Sequence, residues 1–298
     1  MGLKSALLNI YDKKYKKLMI ISLLLVILSI GYLGYNYATT GELFKKGVSL
    51  KGGITLTIPV QEKQNLKQIE KTIKNQLPKA DLTIRELTEA GKPKAIIIEA
   101  SDTTPDELIK ATKKTSLTVE KGNYNIENMG STLGQSFFKQ TTKSIIIAFI
   151  LMSIVVFITF RALVPSLFVI LAAVSDIIST IAAADFLGIK MSTAGIAALL
   201  MLIGYSVDTD ILLTTKVLKR RKEGGPLFER TIKAAKTGLT MSLTSLAAAA
   251  ISLIFAQSNT LKQIMLIIVI GLLFDIVYTW IQNAGILRLY MEKKHGTH

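Results

Sequence analysis

The chain has 298 residues, half of them apolar and only 19% charged, with a formal net charge of +15; soluble domains carry about 25% charged residues. The charge is segregated and leaves long stretches almost free of it, which excludes a purely soluble protein, a disordered chain and a coiled coil. Zero cysteines exclude a disulfide framework, a thiol nucleophile and thiolate metal sites, and the two histidines, His295 and His298, stand in the last four residues, so no metal or cofactor is expected.

A bilayer-spanning helix needs about 20 mostly apolar residues. Lys13, Lys14, Lys16 and Lys17 lead into the first such run, Leu18 to Tyr35. It is longer than the apolar region of a signal peptide and no small-x-small cleavage site follows, so it reads as a retained anchor. From about Ala38 to Lys143 comes room for one small domain. Val48 to Ile58 reads as a strand, with Leu50, Ile54, Leu56 and Ile58 in period two and Gly52-Gly53 marking a bulge or a close backbone approach. Leu66, Ile69, Ile73 and Leu77 share one helix face. Asp81 to Leu87 alternates as a strand, Ala90-Gly91-Lys92-Pro93 makes a turn, and Ala95 to Glu99 is the next strand. Thr104 caps another helix with Pro105 in its first turn. Leu117 to Val119, extended to Tyr124, supplies the last strand. The order βαββαβ is the split, ferredoxin-like pattern. It holds no His, Cys or nucleophile elbow, so a binding or force-transmitting surface is expected of it and not an active site. Gly130-Ser131-Thr132-Leu133-Gly134 follows, as a hinge to the membrane or as a plain connector.

Five further spans follow: Ser144 to Phe160, Leu163 to Leu187, Met191 to Thr215, Thr237 to Ala256 and Ile264 to Leu287. The predicted architecture is an α-helical membrane protein of six transmembrane helices with an inserted α+β extracytoplasmic domain. Its parts are 1–38 (cytoplasmic amino terminus and first helix), 39–143 (the inserted domain) and 144–298 (the other five helices and a cytoplasmic tail). Pro165 falls in the first turn of the third helix, where a missing N–H costs least. Ser192, Ala194, Gly195, Ala197, Ala198 and Gly204 give the fourth helix a small-residue surface, as Ser242, Ser245 and Ala247 to Ala250 do the fifth. Such surfaces let helix backbones approach closely, which predicts both helices inside the bundle.

The basic residues set the orientation. A charge of +15 also fits nucleic acid, but Lys216, Lys219, Arg220, Arg221 and Lys222 stand directly after one span, as the first lysines stand directly before another. That distribution fits the bilayer as partner and not nucleic acid. With six crossings, the amino-terminal segment, the 216–236 loop and the tail with Arg288, Lys293 and Lys294 share one side, against Lys190 and Lys262 in the short loops opposite. The protein is therefore expected in the cell membrane with both termini cytoplasmic. The 216–236 loop reads either as an orientation signal or as a contact for a channel or ribosome.

Aspartates within the spans carry the chemistry. A carboxylate near the bilayer centre costs about 2.5–3.5 kcal/mol, so function is the default expectation. Asp176 lies in the third helix, Asp208 and Asp210 in the fourth and Asp275 in the sixth, while Asp185 is nearer an end. At ~1.5 Å per residue, Asp176 and Asp275 sit roughly 18–20 Å from the cytoplasmic ends and Asp208 about 12 Å from Lys216. Asp176, Asp208 and Asp275 are thus expected at one depth, facing a common polar interior. Asp208 and Asp210 point about 200° apart and cannot share a surface. No Lys or Arg occupies that depth. A carboxyl group that exchanges its proton as a site opens and closes is a proton relay, and Asp208 is the first candidate. For Asp176 and Asp275 the leading expectation is a hydrogen-bonding role that holds helices together.

Several short motifs appear in one order along the chain. Gly47-Val48-Ser49-Leu50-Lys51-Gly52-Gly53 resembles a signature of the SecD/SecF family of protein-export subunits, and Gly130 to Gly134 resembles that family's G-P-x-L-G element. Gly204-Tyr205-Ser206-Val207-Asp208-Thr209-Asp210 resembles its fourth-helix G-Y-S motif, in a version with two aspartates that looks archaeal. Met241-Ser242-Leu243-Thr244-Ser245 resembles the fifth-helix T-S-L-T-T stretch. Arg161 with Pro165-Ser166 matches a basic-then-proline turn. The short external domain and Gly204-Tyr205-Ser206 favour the SecF branch. The resemblance implies a resistance-nodulation-division-type bundle that pairs with a SecD-like membrane subunit. The pair would use the proton gradient to help a translocating polypeptide through the Sec channel, without an enzymatic reaction. It aligns Asp208 with the fourth-helix Asp of SecD, while the bacterial SecF Asp falls at Thr209, between the two acids. Ser49 stands where the family has Asp, and Thr237, beside Lys236, where bacterial SecF has Arg. The rival expectation is a self-contained small-molecule or lipid transporter acting as a homodimer; a third is a passive assembly factor.

Overall fold

The computed structural model describes residues 11–89, 92–120, 122–218 and 226–295. Ala90 and Gly91 of the expected turn, the basic residues Lys219 to Lys222 and His298 lie outside the described residues. Six helices are long and apolar enough to cross a membrane. The first, α1 (Tyr15–Thr40), ends on Gly41 in the left-handed conformation, whose N–H bonds back to Tyr37 O. The chain then enters the α+β domain through a short helix α2 (Val48–Lys51), followed by β1 (Gly53–Pro59), α3 (Leu66–Gln76), β2 (Asp81–Glu89), β3 (Lys92–Ser101), α4 (Pro105–Thr112) and β4 (Asn125–Met129). The remaining spans are α5 (Ser131–Phe160), α6 (Leu163–Phe186), α7 (Thr193–Leu218), α8 (Leu227–Phe255) and a last one built of α9 (Asn259–Val277), a π-helical turn (Tyr278–Asn283) and α10 (Ala284–His295).

The sheet order is β2-β3-β1-β4, antiparallel throughout, which is the ferredoxin-like arrangement of the βαββαβ order. Its core forms where period two meets helix period: Ile54, Leu56 and Ile58 of β1 and Ile96, Ile98 and Ala100 of β3 pack on Ile69 and Ile73 of α3 and Leu108 of α4. Thr104 caps α4 through a reciprocal capping box, its hydroxyl accepting from Glu107 N while the Glu107 carboxylate accepts from Thr104 N. Those bonds hold the Glu107 carboxyl below the usual carboxylate range.

Three expectations are corrected. Val48 to Lys51 is a helical turn and not the start of the strand, because Leu50 belongs to the core of the helical bundle and Gly52, at φ +92°, ends the turn. Leu117 and Val119 are buried in the domain core but lie in an irregular segment; the fourth strand is Asn125–Met129, a short and mostly polar edge strand. The fifth transmembrane helix, α8, lies at the periphery of this chain. Ser242 and Ala249 face inward while Met241, Leu243, Ala247 and Ala248 are exposed, so its small residues serve two surfaces and not one. The helices that are buried most are α6 and α7.

The domain sits on the bundle through a tight joint. Gly47 N donates to Met191 O and Met191 N to Lys45 O, which pairs the entry segment with the α6–α7 connection. A Cβ on Gly134 would stand 2.5 Å from Gly52 N, and one on Gly52 would stand 2.6 Å from Ser131 Cα. The two glycine motifs therefore meet backbone to backbone, as a packed joint in place of a loose connector. At the other end of the bundle, Arg288 of α10 donates to Asp12 and stacks over the Tyr15 ring, tying the first helix to the last.

Candidate functional site

Three carboxyl groups converge between α6, α7 and the last span. Asp176, Asp210 and Asp275 are each completely buried. Asp275 accepts from Thr209 Oγ1 at 3.2 Å, from Thr279 Oγ1 at 3.1 Å and from Ser242 Oγ at 3.3 Å. The Ser206 hydroxyl lies against both Asp176 and Asp275, and Thr180 Oγ1 reaches Asp176 at 3.4 Å. Asp210 Oδ1 accepts from Asn283 Nδ2 at 2.8 Å. Gln282 donates to Ser175 Oγ at 3.0 Å, and Tyr278 shares a short hydrogen bond with Ser179. The seam thus runs Asp176–Ser206–Asp275–Thr279–Asp210–Asn283, wholly among oxygen and amide groups. Among the described residues, no Lys or Arg forms an ion pair with these acids and no cluster of His, Asp and Glu is arranged to hold a metal.

The π-helical turn is what fills the seam from one side. One widened turn, at Tyr278–Asn283, brings Tyr278, Thr279, Gln282 and Asn283 all into buried positions; turns of this kind recur at functional sites. Packing is close around it. Trp280 presses on Gly238 of α8, and Leu202 of α7 fills the space left by Gly271 of α9.

Hydrogen bonding in the seam is incomplete. Asp176 Oδ2, Asp210 Oδ2, Gln282 Oε1, Asn283 Oδ1 and Thr214 Oγ1 are buried without a partner, in a protein interior where nearly all such groups are satisfied. Four of the five are acceptors only when the acids are ionised. A proton on a carboxyl turns an oxygen that can only accept into a donor, so protonation changes which bonds the seam can make.

The acid expected to face this interior, Asp208, does not; Asp210 takes that place. Asp208 is exposed, in a stripe along α7 with Ala197, Met201, Gly204 and Tyr205. The 200° between the two acids sends one inward and the other outward. Of the family motif, Ser206 is buried in the seam whereas Gly204 and Tyr205 share the outward stripe. Gly47, Gly52, Gly53, Gly130 and Gly134 are all at the domain joint, with Gly130 as the residue before α5. Asp185 accepts from Tyr32, Asn36 and the Lys45 main chain, so it fastens α1 and the domain entry to α6. Thr209, singled out only by the family alignment, and Ser242, read as a small packing residue, both join the seam, and Thr279, Gln282 and Asn283 entered it unannounced. Amides and hydroxyls at Thr279, Gln282 and Asn283 inside one apolar run were the available signal.

The model of the family "Protein export membrane protein SecD/SecF, C-terminal" matches residues 109–293. The chain is 37% identical over 296 residues to the protein-export membrane protein SecF of Pyrococcus furiosus, covering 99% of this chain and 97% of that one. This chain belongs to the SecF family. A second SecF relative, from Methanocaldococcus jannaschii, is 38% identical over 290 residues, with 94% and 97% covered. In fold, the chain is similar to the crystal structure of SecDF from Thermus thermophilus, described as a translocon-associated membrane protein. The TM-score is 0.71 at 18% identity, with 94% of this chain covered and 38% of that chain. The chain thus spans well under half the length of that SecDF molecule. SecF membership and six apolar helices make it a multi-pass membrane protein. The relatives' names describe protein-export membrane components.

Proposed function

We propose that this SecF-family chain pairs with a SecD-like subunit and couples the proton gradient to late movement of polypeptide through the Sec channel. Residues 39–143 lie on the extracytoplasmic side and both termini in the cytoplasm. The observation that carries the reading is the buried seam of Asp176, Asp210 and Asp275, several of whose acceptors have no partner within the protein. A seam whose hydrogen bonding changes with each proton has two packings of different proton affinity, and a gradient can drive such a bundle between them. Asp210 replaces Asp208 as the first relay candidate, since it lies inside with Asp275 and Asn283.

The outward stripe of α7 supports pairing. A carboxylate facing hydrocarbon is expensive, and Asp208 stands in an exposed stripe where Ala197 and Gly204 leave gaps between Met201 and Tyr205, a surface another helix could cover. The SecDF chain of which this fold covers 38% leaves length for a second bundle. A homodimeric transporter would cover the same stripe with a second copy.

Asp210→Asn keeps the shape of the side chain and removes its proton exchange. In liposomes holding the Sec channel and the SecD-like subunit, the variant is expected to lose at least tenfold of the gradient-dependent stimulation of export while still copurifying with that subunit. Full stimulation by Asp210→Asn overturns the relay. Detergent extraction that yields two copies of this chain and no larger membrane subunit overturns the pairing.

A further inference from the structure

The free edge of β2 borders a cleft that neither the carboxyl seam nor the outward stripe of α7 uses. β2 is the outermost strand, laddered on one side to β3. Two lysines of the bundle reach the carbonyls on its other side. Lys190, between α6 and α7, donates to Leu82 O at 3.4 Å and to Asp81 Oδ1 at 2.7 Å. Lys262, in the first turn of α9, donates to Thr88 O at 3.4 Å and Thr88 Oγ1 at 3.3 Å. Alternate residues of an antiparallel strand turn both main-chain polar groups to the same side. With Leu82 turned outward, Ile84 and Glu86 turn outward too, ahead of the register shift at Leu87/Thr88. A cleft of about 640 Å³ runs along this stretch, walled by Leu66, Ile84, Ile189, Leu253 and Leu266, with Lys190 and Lys262 also in its lining.

We propose that this cleft takes a short extended segment of unfolded polypeptide as an added strand on β2. The main-chain groups of Ile84 and Glu86 match the main chain of any extended peptide, and the apolar walls take a side chain. A lipid tail would suit the walls but leave those main-chain groups unpaired, which is costly once water is displaced. Leu82 to Thr88 spans ~20 Å at ~3.3 Å per residue, which sets the segment at about four to six residues. The two lysines hold the carbonyls at either end and keep a longer strand from pairing, the usual protection of an open edge. Recognition through main chain is tolerant of sequence, as contact with many exported chains requires. The inference takes from the proposed function only the source of the polypeptide, and its test needs neither gradient nor partner.

The test uses the full chain in nanodiscs of diphytanoyl phosphatidylcholine and a fluorescein-labelled ten-residue peptide of alternating Val and Thr, followed by anisotropy. Glu86→Pro removes one outward N–H at an edge position that tolerates proline, and Glu86→Ala keeps it. Wild type and Glu86→Ala are expected to bind within twofold of each other, and Glu86→Pro at least tenfold more weakly at an unchanged unfolding midpoint. A peptide N-methylated at alternate residues is expected to lose tenfold against the wild-type protein, which tests the same bonds without altering the fold. Binding to wild type no better than to empty nanodiscs, equal binding of the methylated peptide, or a retained phospholipid that the peptide fails to displace overturns the proposal.

Discussion

The core of the α+β domain and the seam between α6, α7 and the last span are equally buried and are built on opposite rules. In the domain, Ile54, Leu56, Ile58, Ile96 and Ile98 meet Ile69, Ile73 and Leu108, and every contact among these side chains is apolar. In the seam, Asp176, Asp210 and Asp275 are just as buried, yet four side-chain oxygens on Asp176, Asp210, Gln282 and Asn283 have no partner. An apolar core has one best packing and gains from keeping it. A buried polar seam gains most when every group is bonded, so one left partly satisfied is sensitive to any change in the number of donors it holds. The domain core fixes a single packing, and the seam is where the proposed relay would act.

Substitutions test that contrast. The largest effect is expected in the domain. Ile98→Ala should cost ~2–5 kcal/mol by opening a cavity in a fixed core, read as lost protection of domain amides in hydrogen exchange; protection at the wild-type level would mean that the core is soft. Next is the joint. Gly134→Ala places a methyl group against the backbone of Gly52, which cannot yield as a side chain would, for about 1–3 kcal/mol, read from the thermal midpoint in nanodiscs. The capping box follows: Thr104→Ala should cost ~1 kcal/mol. Its partner Glu107 has a folded value below the ordinary one, so the stability it contributes is present above the usual glutamate range of about 4.3 and is lost as pH falls through the lowered folded value. Glu107→Gln should therefore flatten the acid limb of the domain's unfolding curve, and an unchanged limb would separate the box from helix stability. The smallest effect on stability belongs to the seam. Asp210→Asn should change it by about 1 kcal/mol or less, because an amide still accepts from Asn283, although export coupling falls tenfold or more. Loss of folding in that variant would make the seam a structural core after all. Asp208→Asn, outward on α7, should stay within about 0.5 kcal/mol in the isolated chain and act on copurification with the SecD-like subunit.

How far the sequence announced these two regions differs as well. Long apolar runs made the six spans legible, alternation exposed β1 and β2, and a continuous apolar run exposed β3, whose Ala95 to Ile98 are all buried. Asn125–Met129 stayed hidden, since a short edge strand with exposed Asn125, Glu127 and Asn128 carries almost no apolar alternation. Val48 to Lys51 misled because Leu50 continues the alternation of β1 while packing into a different core. In the seam, the rule that Asp208 and Asp210 face opposite ways holds in the fold, but the direction of each depends on how α7 is rotated against α6 and α9. Gln282 and Asn283 depended on the π-helical turn, which redirects side chains that a regular 3.6-residue period would place elsewhere.

The backbone contact between Gly52 and Gly134 has a mechanical consequence. The chain enters the small domain at Gly47–Gly53 and leaves it at Gly130–Gly134, so its two attachments coincide at a single fulcrum. A rigid lever mounted on one fulcrum rotates without stretching either arm. Away from the Gly47–Met191 main-chain joint, rotation would give up the Lys190 and Lys262 contacts to β2, each worth at most ~1 kcal/mol where water reaches them. A slight rearrangement near such a fulcrum would be magnified into a long stroke at the far end of the sheet.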